Sequence, residues 1–195
     1  IQMSGYIAPT PLEITTQPGN TVYFVQRWVT SGNITDRGNI TVYGIPADWT
    51  VKVYRTTDSL TPGAYTSLSC SSCVLLATES SSDRSILDNN DTIASGPDTG
   101  SDGIPDTGNL APPGGEVLIV LEVQVSTNAT GGVFTLRERG SSNSDWTYKK
   151  ATNPTLPYNN DSVVHNEAFK TIVISSATVG DRVWFDVDGD GAQDV

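Results

Sequence analysis

Histidine and basic residues are scarce in this chain of 195 residues, and each shortage excludes a class of function. His165 is the only histidine, so a zinc site lacks the further soft ligands that it needs. No G-x-S-x-G motif accompanies it, so a serine triad has no visible nucleophile. Eleven basic residues stand against twenty-two acidic ones, and the net charge of -11 repels nucleic acid and anionic membranes. We therefore expect a protein that is not an enzyme and binds no nucleic acid.

Long apolar runs and helical periodicity are also missing. No stretch of about eighteen apolar residues occurs, so the sequence predicts no transmembrane segment. The chain begins with Ile1 and shows no basic, apolar leader, so we expect a secreted, cell-surface protein whose signal has been removed, or else an internal fragment. Five possible glycosylation sequons support secretion, although Asn-, Ser- and Thr-rich chains also make such triplets by chance: Asn33, Asn39, Asn90, Asn128 and Asn160.

The two cysteines, Cys70 and Cys73, form a C-x-x-C pair in LSCSSCV. In an oxidising compartment such a pair closes a small disulfide that holds a turn. A thioredoxin-like redox role needs a helix in a βαβ unit, and the following VLLATESSSD does not predict one. The sequence therefore predicts a structural disulfide.

Short strands are abundant. Segments rich in β-branched and aromatic residues predict strands at 21–29, 39–45, 49–55, 73–78, 116–125, 132–139 and 169–175. Clusters such as QPGN, TPGA and APPGG separate them and reverse the chain. The pattern predicts an all-β antiparallel sandwich. In the strand 116–125, Leu118 and Val120 make the second face apolar, so we expect an inserted loop or a neighbouring subunit to cover it.

The four tryptophans allow two interpretations. Trp28, Trp49, Trp146 and Trp184 are more typical of a sandwich core than of a sugar-binding surface. Trp146, in the polar run SSNSDWTYKK, is the one we expect to be exposed. An exposed pair of aromatic rings on one sheet would favour carbohydrate binding, whereas buried indoles would favour a structural role.

Residues 79–115 form a long acidic insertion. A loop of that length inside a compact domain is unusual unless a ligand or metal organises it. Carboxylates separated by glycine turns suit the flexible oxygen coordination of Ca²⁺. The alternative is a solvated acidic loop. The candidate ligands are Asp88, Asp91, Asp98, Asp102 and Asp106.

The last eleven residues, FDVDGDGAQDV, crowd further carboxylates together. Their spacing matches positions 1, 3, 5 and 9 of an EF-hand-like calcium loop, with a backbone carbonyl at position 7. The bidentate acid of position 12 would lie beyond Val195, so affinity should be weak unless another segment supplies ligands. A solvated acidic terminus is the alternative. The candidate ligands are Asp186, Asp188, Asp190, Ala192 through its carbonyl, and Asp194.

Residues 10–126 resemble a known family in their ordered motifs. The series PGNTVYFVQRWVTSGN, GIPADWTVKVYR, DTGSDGIPDTGN and LAPPGGEVLIVLEVQV is similar to the immunoglobulin-like conserved repeat domain of bacterial and archaeal surface proteins. The resemblance implies an immunoglobulin-like β-sandwich with an acidic loop. Gly100 and Ser101 stand where the family usually has Asp and Gly.

Residues 179–195, VGDRVWFDVDGDGAQDV, resemble the start of the calcium-binding B-type repeats of serine-aspartate repeat adhesins. The resemblance implies that the tail aspartates bind calcium. We expect a sandwich domain over 1–176, followed over 177–195 by a linker strand and a truncated calcium-binding repeat or a donated strand. This assembly strand contains the apolar residues Val183, Trp184 and Phe185. It needs a sheet edge to pair with, either in its own sandwich or in a neighbour's.

Two functions of different class follow from these features. The first is a calcium-stabilised extracellular structural subunit of a filament, tube, sheath or surface layer, with self-association or neighbouring repeats as partners. The second is a carbohydrate-binding or adhesin module of a larger secreted protein.

Overall fold

The computed structural model describes residues 3–5, 12–30, 33–80, 107–112, 114–142 and 163–174. Within these ranges every regular element is a strand, and no helix long and apolar enough to cross a bilayer is found. The strands are β1 (Met3–Gly5), β2 (Leu12–Thr16), β3 (Thr21–Thr30), β4 (Gly38–Tyr43), β5 (Thr50–Thr56), β6 (Gly63–Tyr65), β7 (Val74–Ser80), β8 (Glu116–Gln124), β9 (Gly132–Ser142) and β10 (Val163–Val173).

Two sheets pack against each other as a sandwich. The larger sheet has the order β1-β3-β8-β5-β7, with β6 also paired to β3, and the smaller sheet has the order β2-β10-β9-β4. Among the described strands, pairing is antiparallel except between β10 and β2, which run parallel. The predicted all-β, immunoglobulin-like sandwich is confirmed.

The seven predicted strands are all present, and the sequence missed three short ones, β1, β2 and β6. Strand β6 lies in the TPGA cluster that predicted a turn; it exists because Gly63 to Tyr65 pair with the distant β3. Strand β10 begins at Val163 rather than at residue 169. Its polar first half is a strand because it pairs with β9, which the local pattern does not reveal.

The QPGN cluster forms the turn that it predicts, between β2 and β3. Gly19 has φ of 82°, and the N–H of Asn20 donates to the carbonyl of Gln17 at 3.2 Å. A type II turn requires positive φ at its third residue and accepts proline at its second, which Pro18 provides. Local chemistry alone therefore determines how the chain enters β3.

Alternate residues of the central strands fill the space between the sheets. Val22, Phe24 and Trp28 of β3 point inward and are at most 1% exposed. Trp49, just before β5, lies with its ring centroid 4.8 Å from that of Phe134 on β9 and so links the two sheets. Both described tryptophans are core residues, as predicted.

A polar pair lies inside this core. Gln26 of the larger sheet is 1% exposed and Glu138 of the smaller sheet is fully buried. The side-chain amide of Gln26 donates to a carboxylate oxygen of Glu138. Burial of a carboxylate is costly unless it is hydrogen-bonded, so this contact offsets part of the cost of burying Glu138.

The outer face of the larger sheet is apolar, as predicted, and this chain covers much of it. Val25, Leu118 and Val120 form a second apolar cluster. The segment between β5 and β7, residues 57–73, lies over that cluster. It contributes the side chains of Leu60, Tyr65, Leu68 and Cys73. The sequence predicted that either an inserted loop or a neighbouring subunit would cover this face, and the structure shows the inserted loop.

The carboxyl end of the acidic insertion returns to the sandwich at Thr107. Leu110 and Asp36 exchange backbone hydrogen bonds of 2.8 and 3.2 Å, and the N–H of Thr107 donates to the carbonyl of Gly38 at 3.0 Å. Thr107 and Leu110 are 4% and 5% exposed. Backbone pairing beside β4 therefore holds this end, and the calcium prediction concerns residues before it.

Candidate functional site

Three neighbouring strands of the larger sheet bring one row of side chains together on its outer face. Tyr23 of β3 pairs in register with Glu122 of β8, and Glu122 pairs with Lys52 of β5. Cross-strand partners lie on the same face of a sheet, about 5 Å apart. Tyr54 lies two residues after Lys52 and therefore shares this face. We call these four side chains the Glu122 cluster.

Direct contacts hold the cluster together. The ammonium group of Lys52 donates to Oε1 of Glu122 at 2.8 Å, and the hydroxyl of Tyr54 donates to Oε2 at 3.2 Å. The side chains of Lys52 and Glu122 are 39% and 22% exposed, so the pair is reached by solvent. The hydrogen bond and charge of Glu122 raise the pKa of Lys52. Burial, then the charge of Glu122, raises the pKa of Tyr54.

A cavity of about 280 Å³ opens beside the Glu122 cluster. Apolar groups, aromatic rings and a single carboxylate line it, which is the usual chemistry of a small-molecule site. Its lining residues are Tyr23, Tyr54, Leu68, Cys70, Cys73, Val120 and Glu122. An adjoining cavity of about 380 Å³ shares Tyr23 and Leu68 and is otherwise polar, with Thr16, Asn20, Thr21, Thr66 and Ser67.

The predicted disulfide is present and forms one wall of the cavity beside the Glu122 cluster. Cys70 and Cys73 are bonded, with their Cα atoms 5.5 Å apart. Asp58 fastens the turn between them: its carboxylate accepts the N–H of Ser71 at 2.7 Å and the hydroxyl of Ser72 at 2.6 Å. The hydroxyl of Ser72, followed by the two backbone N–H groups, lowers the pKa of Asp58. The disulfide and the hydrogen bonds to Asp58 therefore both hold this turn.

A larger cavity, of about 450 Å³, lies where the acidic insertion rejoins the sandwich. Arg55 of β5, Thr107 and Asn109 are among its lining residues. The hydroxyl of Thr107 accepts the N–H of Gly38 at 2.9 Å. Gly108 has φ of 74°, and the guanidinium of Arg55 lies where a side chain at residue 108 would begin. The contacts at this cavity fasten the loop to the sheet.

Many predicted site residues lie outside the described residues, and so does the predicted domain boundary at residue 176. They are the loop ligands Asp88, Asp91, Asp98, Asp102 and Asp106, the tail ligands Asp186, Asp188, Asp190, Ala192 and Asp194, the assembly strand Val183, Trp184 and Phe185, the sequons Asn90 and Asn160, and Trp146. Among the residues that are described, no group of three or more His, Cys, Asp or Glu side chains could hold a metal ion.

The remaining sequons lie at the surface or on an edge strand. Asn33 and Asn128 are exposed in bends or turns, where a glycan has room. The N–H of Asn128 donates to the hydroxyl of Ser126 at 3.1 Å. Asn39 lies in β4, which pairs only with β9 among the described strands. Glycosylation at any of the sequons stays a prediction.

Sequence reasoning missed the Glu122 cluster, although a signal was present. Glu122 is the one charged residue in the otherwise apolar run VLIVLEV, and it falls on the same face as Leu118 and Val120. Lys52 and Tyr54 alternate in TVKVYR and must therefore share a face. The missing information was the register, which brings these two faces together.

No family model and no curated protein matches the chain. Among solved structures, the chain is similar to an ASH/PapD-like domain of human CEP192 (PapD-like domain 7), with 8% identity over 90% of this chain and 87% of that chain and a TM-score of 0.38. The N-terminal domain of PorA has 11% identity over 88% and 97%, with a TM-score of 0.35. AvmM, which catalyzes macrocyclization in alchivemycin A biosynthesis, has 11% identity over 91% and 92%, with a TM-score of 0.36. Likenesses of this size say nothing about ligands or activity.

Proposed function

We propose that this chain is a non-catalytic structural module of an extracellular surface assembly. It belongs, in this proposal, to the immunoglobulin-like repeat domains of bacterial and archaeal surface proteins, and its tail is the start of a calcium-binding adhesin-type repeat. The module would associate with further copies of itself or with neighbouring repeats to build a filament, tube, sheath or surface layer.

The observation that carries the proposal is the disulfide-closed segment over the larger sheet. Cys70 and Cys73 close a turn within residues 57–73, the segment that covers much of the apolar outer face of the larger sheet. Disulfides of this kind persist outside reducing compartments. Burial of Trp28 and Trp49 in the core also favours a mechanical role over recognition by these two indoles. Both features support a module that lasts in an oxidising, exposed environment.

The proposed calcium ligands lie within residues 81–106 and 185–195. Ions held by these carboxylates would stabilise the folded chain by mass action, because only the folded state presents the ligands together. Neutralising some of the -11 charge would also reduce self-repulsion.

Thermal unfolding with and without calcium tests the proposal. After treatment with a chelator, calcium at about 100 times its Kd should stabilise the chain by about 2.7 kcal/mol. For a chain of this size that is a rise in Tm of about 5–10 °C. Two triple variants separate the two regions. One replaces Asp98, Asp102 and Asp106 with asparagine and tests the loop. The other replaces Asp186, Asp188 and Asp190 with asparagine and tests the tail. Magnesium and the exposed Asp48→Asn are the controls, and an unchanged Tm of the wild-type chain would contradict calcium stabilisation.

Assembly needs a separate test. Electron microscopy of native material should show regular filaments or sheets in which residues 179–195 lie in a neighbour's sheet. Removal of those residues should then abolish the regular objects. Material that stays monomeric in both forms would contradict the assembly role.

A carbohydrate-binding or adhesin module is the second candidate. The buried Trp28 and Trp49 offer no stacking surface. The observation that favours this candidate is the solvent-reached Glu122 cluster, with its two tyrosines beside a lysine–carboxylate pair.

A further inference from the structure

We propose that the cavity beside the Glu122 cluster binds one ring of a neutral carbohydrate. This inference rests on the second candidate function and assigns its site. It does not depend on calcium or on assembly. The carbohydrate site can therefore fail its test while the structural proposal holds, and the structural proposal can fail while the carbohydrate site holds.

The polar side of the cavity combines the Glu122 carboxylate, which accepts hydrogen bonds, with two tyrosine side chains whose hydroxyls can donate or accept. The Lys52 ammonium lies outside the lining and directs one of its three N–H donors at Glu122. A carboxylate can accept about four hydrogen bonds, and Lys52 and Tyr54 supply two to Glu122. The hydroxyl of Tyr54 donates to Glu122 and can accept a further bond. Adjacent hydroxyl groups of a sugar need this alternation, because each of them both donates and accepts.

The other side of the cavity is apolar and partly aromatic. Tyr23 and Tyr54 are half-buried, and Leu68, Val120 and the disulfide complete the apolar lining. A sugar ring has an apolar face formed by its C–H groups. Tyrosine provides a large, rigid and amphipathic surface for such a face at little cost in conformational entropy.

Size and charge exclude other ligand classes. About 280 Å³ lies just below the range of roughly 300–1,000 Å³ in which drug-sized ligands bind. One six-membered ring therefore fits better than a peptide or a polycyclic molecule. An anion would meet Glu122 and the net charge of -11, and a cation would have to compete with Lys52, which already pairs with Glu122. A neutral, hydroxyl-rich ring meets neither obstacle.

The adjoining cavity gives the next ring of a glycan a place to lie. Tyr23 and Leu68 line both cavities. Its remaining lining is hydroxyl and amide side chains: Thr16, Asn20, Thr21, Thr66 and Ser67. A glycan longer than one ring can therefore continue from the aromatic cavity into the polar one.

The site is formed before any ligand arrives. Two side chains of β5, Lys52 and Tyr54, hold Glu122 by hydrogen bonds, and Asp58 holds the turn that the disulfide closes. Groups that are already ordered lose little entropy when a ligand binds, which favours even a small ligand.

A titration of the ¹⁵N-labelled full chain followed by NMR tests the proposal. The probes are the methyl glycosides of glucose, galactose, mannose and N-acetylglucosamine, and the disaccharides maltose and lactose. We expect saturable, millimolar binding of at least one, with shifts confined to residues 23, 52–54, 66–73 and 120–122 and, for a disaccharide, also to residues 16–21. Calcium or a chelator should not change the result. Shifts with none of the six, or shifts scattered over the molecule, would overturn the proposal.

Glu122→Gln and Tyr54→Phe identify the groups responsible. Each should raise the Kd about tenfold, the size expected for loss of one charge-assisted or well-placed hydrogen bond. Glu116→Gln is the matched control: Glu116 lies on the same strand and also faces a basic residue, with Arg27 at 3.8 Å. It should bind as the wild type does. Thermal unfolding of all variants identifies loss of fold, and an unchanged Kd in folded Glu122→Gln would refute the assignment.

Discussion

The indole of Trp28 on β3 lies directly against Gly140 on β9, across the interior of the sandwich. A Cβ built on Gly140 would be 2.6 Å from Cζ3 of Trp28 and closer still to Cη2. Trp28, the largest fully buried side chain in the described part of the protein, thus occupies the space that a side chain at residue 140 would need. The two sheets approach each other here only because one residue has no side chain.

Replacement of that glycine should be costly. Gly140→Ala should lower the free energy of unfolding by about 3 kcal/mol, because added volume in a packed core forces neighbours to move. Denaturant unfolding measures the change. Gly132→Ala on the same strand is the control, since its Cβ would lie at an ordinary 3.8 Å from the Phe134 ring. Trp28→Phe in the Gly140→Ala background should recover part of the loss, and equal effects of the two alanines would contradict the packing argument.

The buried Gln26–Glu138 pair predicts strong coupling. Glu138→Leu or Gln26→Leu alone should cost about 3 kcal/mol, because each leaves a buried polar group without this partner. The double leucine variant should cost less than the sum of the two, and equilibrium unfolding of all four proteins gives the coupling energy. Additive losses would mean that the contact between the two side chains contributes little.

Loss of the disulfide should loosen the cover of the larger sheet. Cys70→Ser with Cys73→Ser should reduce stability by about 2 kcal/mol, since the closed loop is very short. Binding of an apolar dye should rise because Val25, Leu118 and Val120 lose part of their cover. Reductant should have the same effect on the wild type and none on the serine variant. A dye signal that stays unchanged in both would contradict the role assigned to residues 57–73.

The contacts of Asp58 predict a dependence on pH. Hydrogen bonds from Ser72 and Ser71 hold the pKa of Asp58 below its usual 3.8 in the folded chain. The stabilisation is therefore fully present above pH 3.8 and is lost as the pH falls through the lower, folded pKa. Asp58→Asn should lower the Tm at neutral pH, and the difference in Tm between this variant and the wild type should become smaller below pH 3.8. Asp48→Asn serves as the control, and a gap that does not vary with pH would refute the prediction.

Much of the scaffold could be predicted from local patterns. Alternation in TVYFVQRWV and EVLIVLEVQV identified the two central strands, and QPGN identified the turn into the first of them. Cys70 and Cys73 could be paired because only two residues separate them. These features depend on neighbours in the chain, so a single sequence contains them.

The candidate site could not be predicted in the same way. Lys52 and Glu122 are 70 residues apart, and they meet because β5 and β8 pair in one register out of several. Alternation tells which residues share a face, but not which strands become neighbours. The same limit hid the polar first half of β10 and the three-residue β6, which are strands only through distant partners.

The amino-acid sequence by itself determined the class of fold, the central strands, the disulfide and the apolar outer face of β8, because each follows from contacts or alternation within a few residues. Only the tertiary structure decided that Glu138 turns into the core opposite Gln26, that Trp28 fills the space over Gly140, and that residues 57–73 cover that outer face. Those outcomes depend on how two sheets pack and register against each other, a property of the whole chain that no local segment contains.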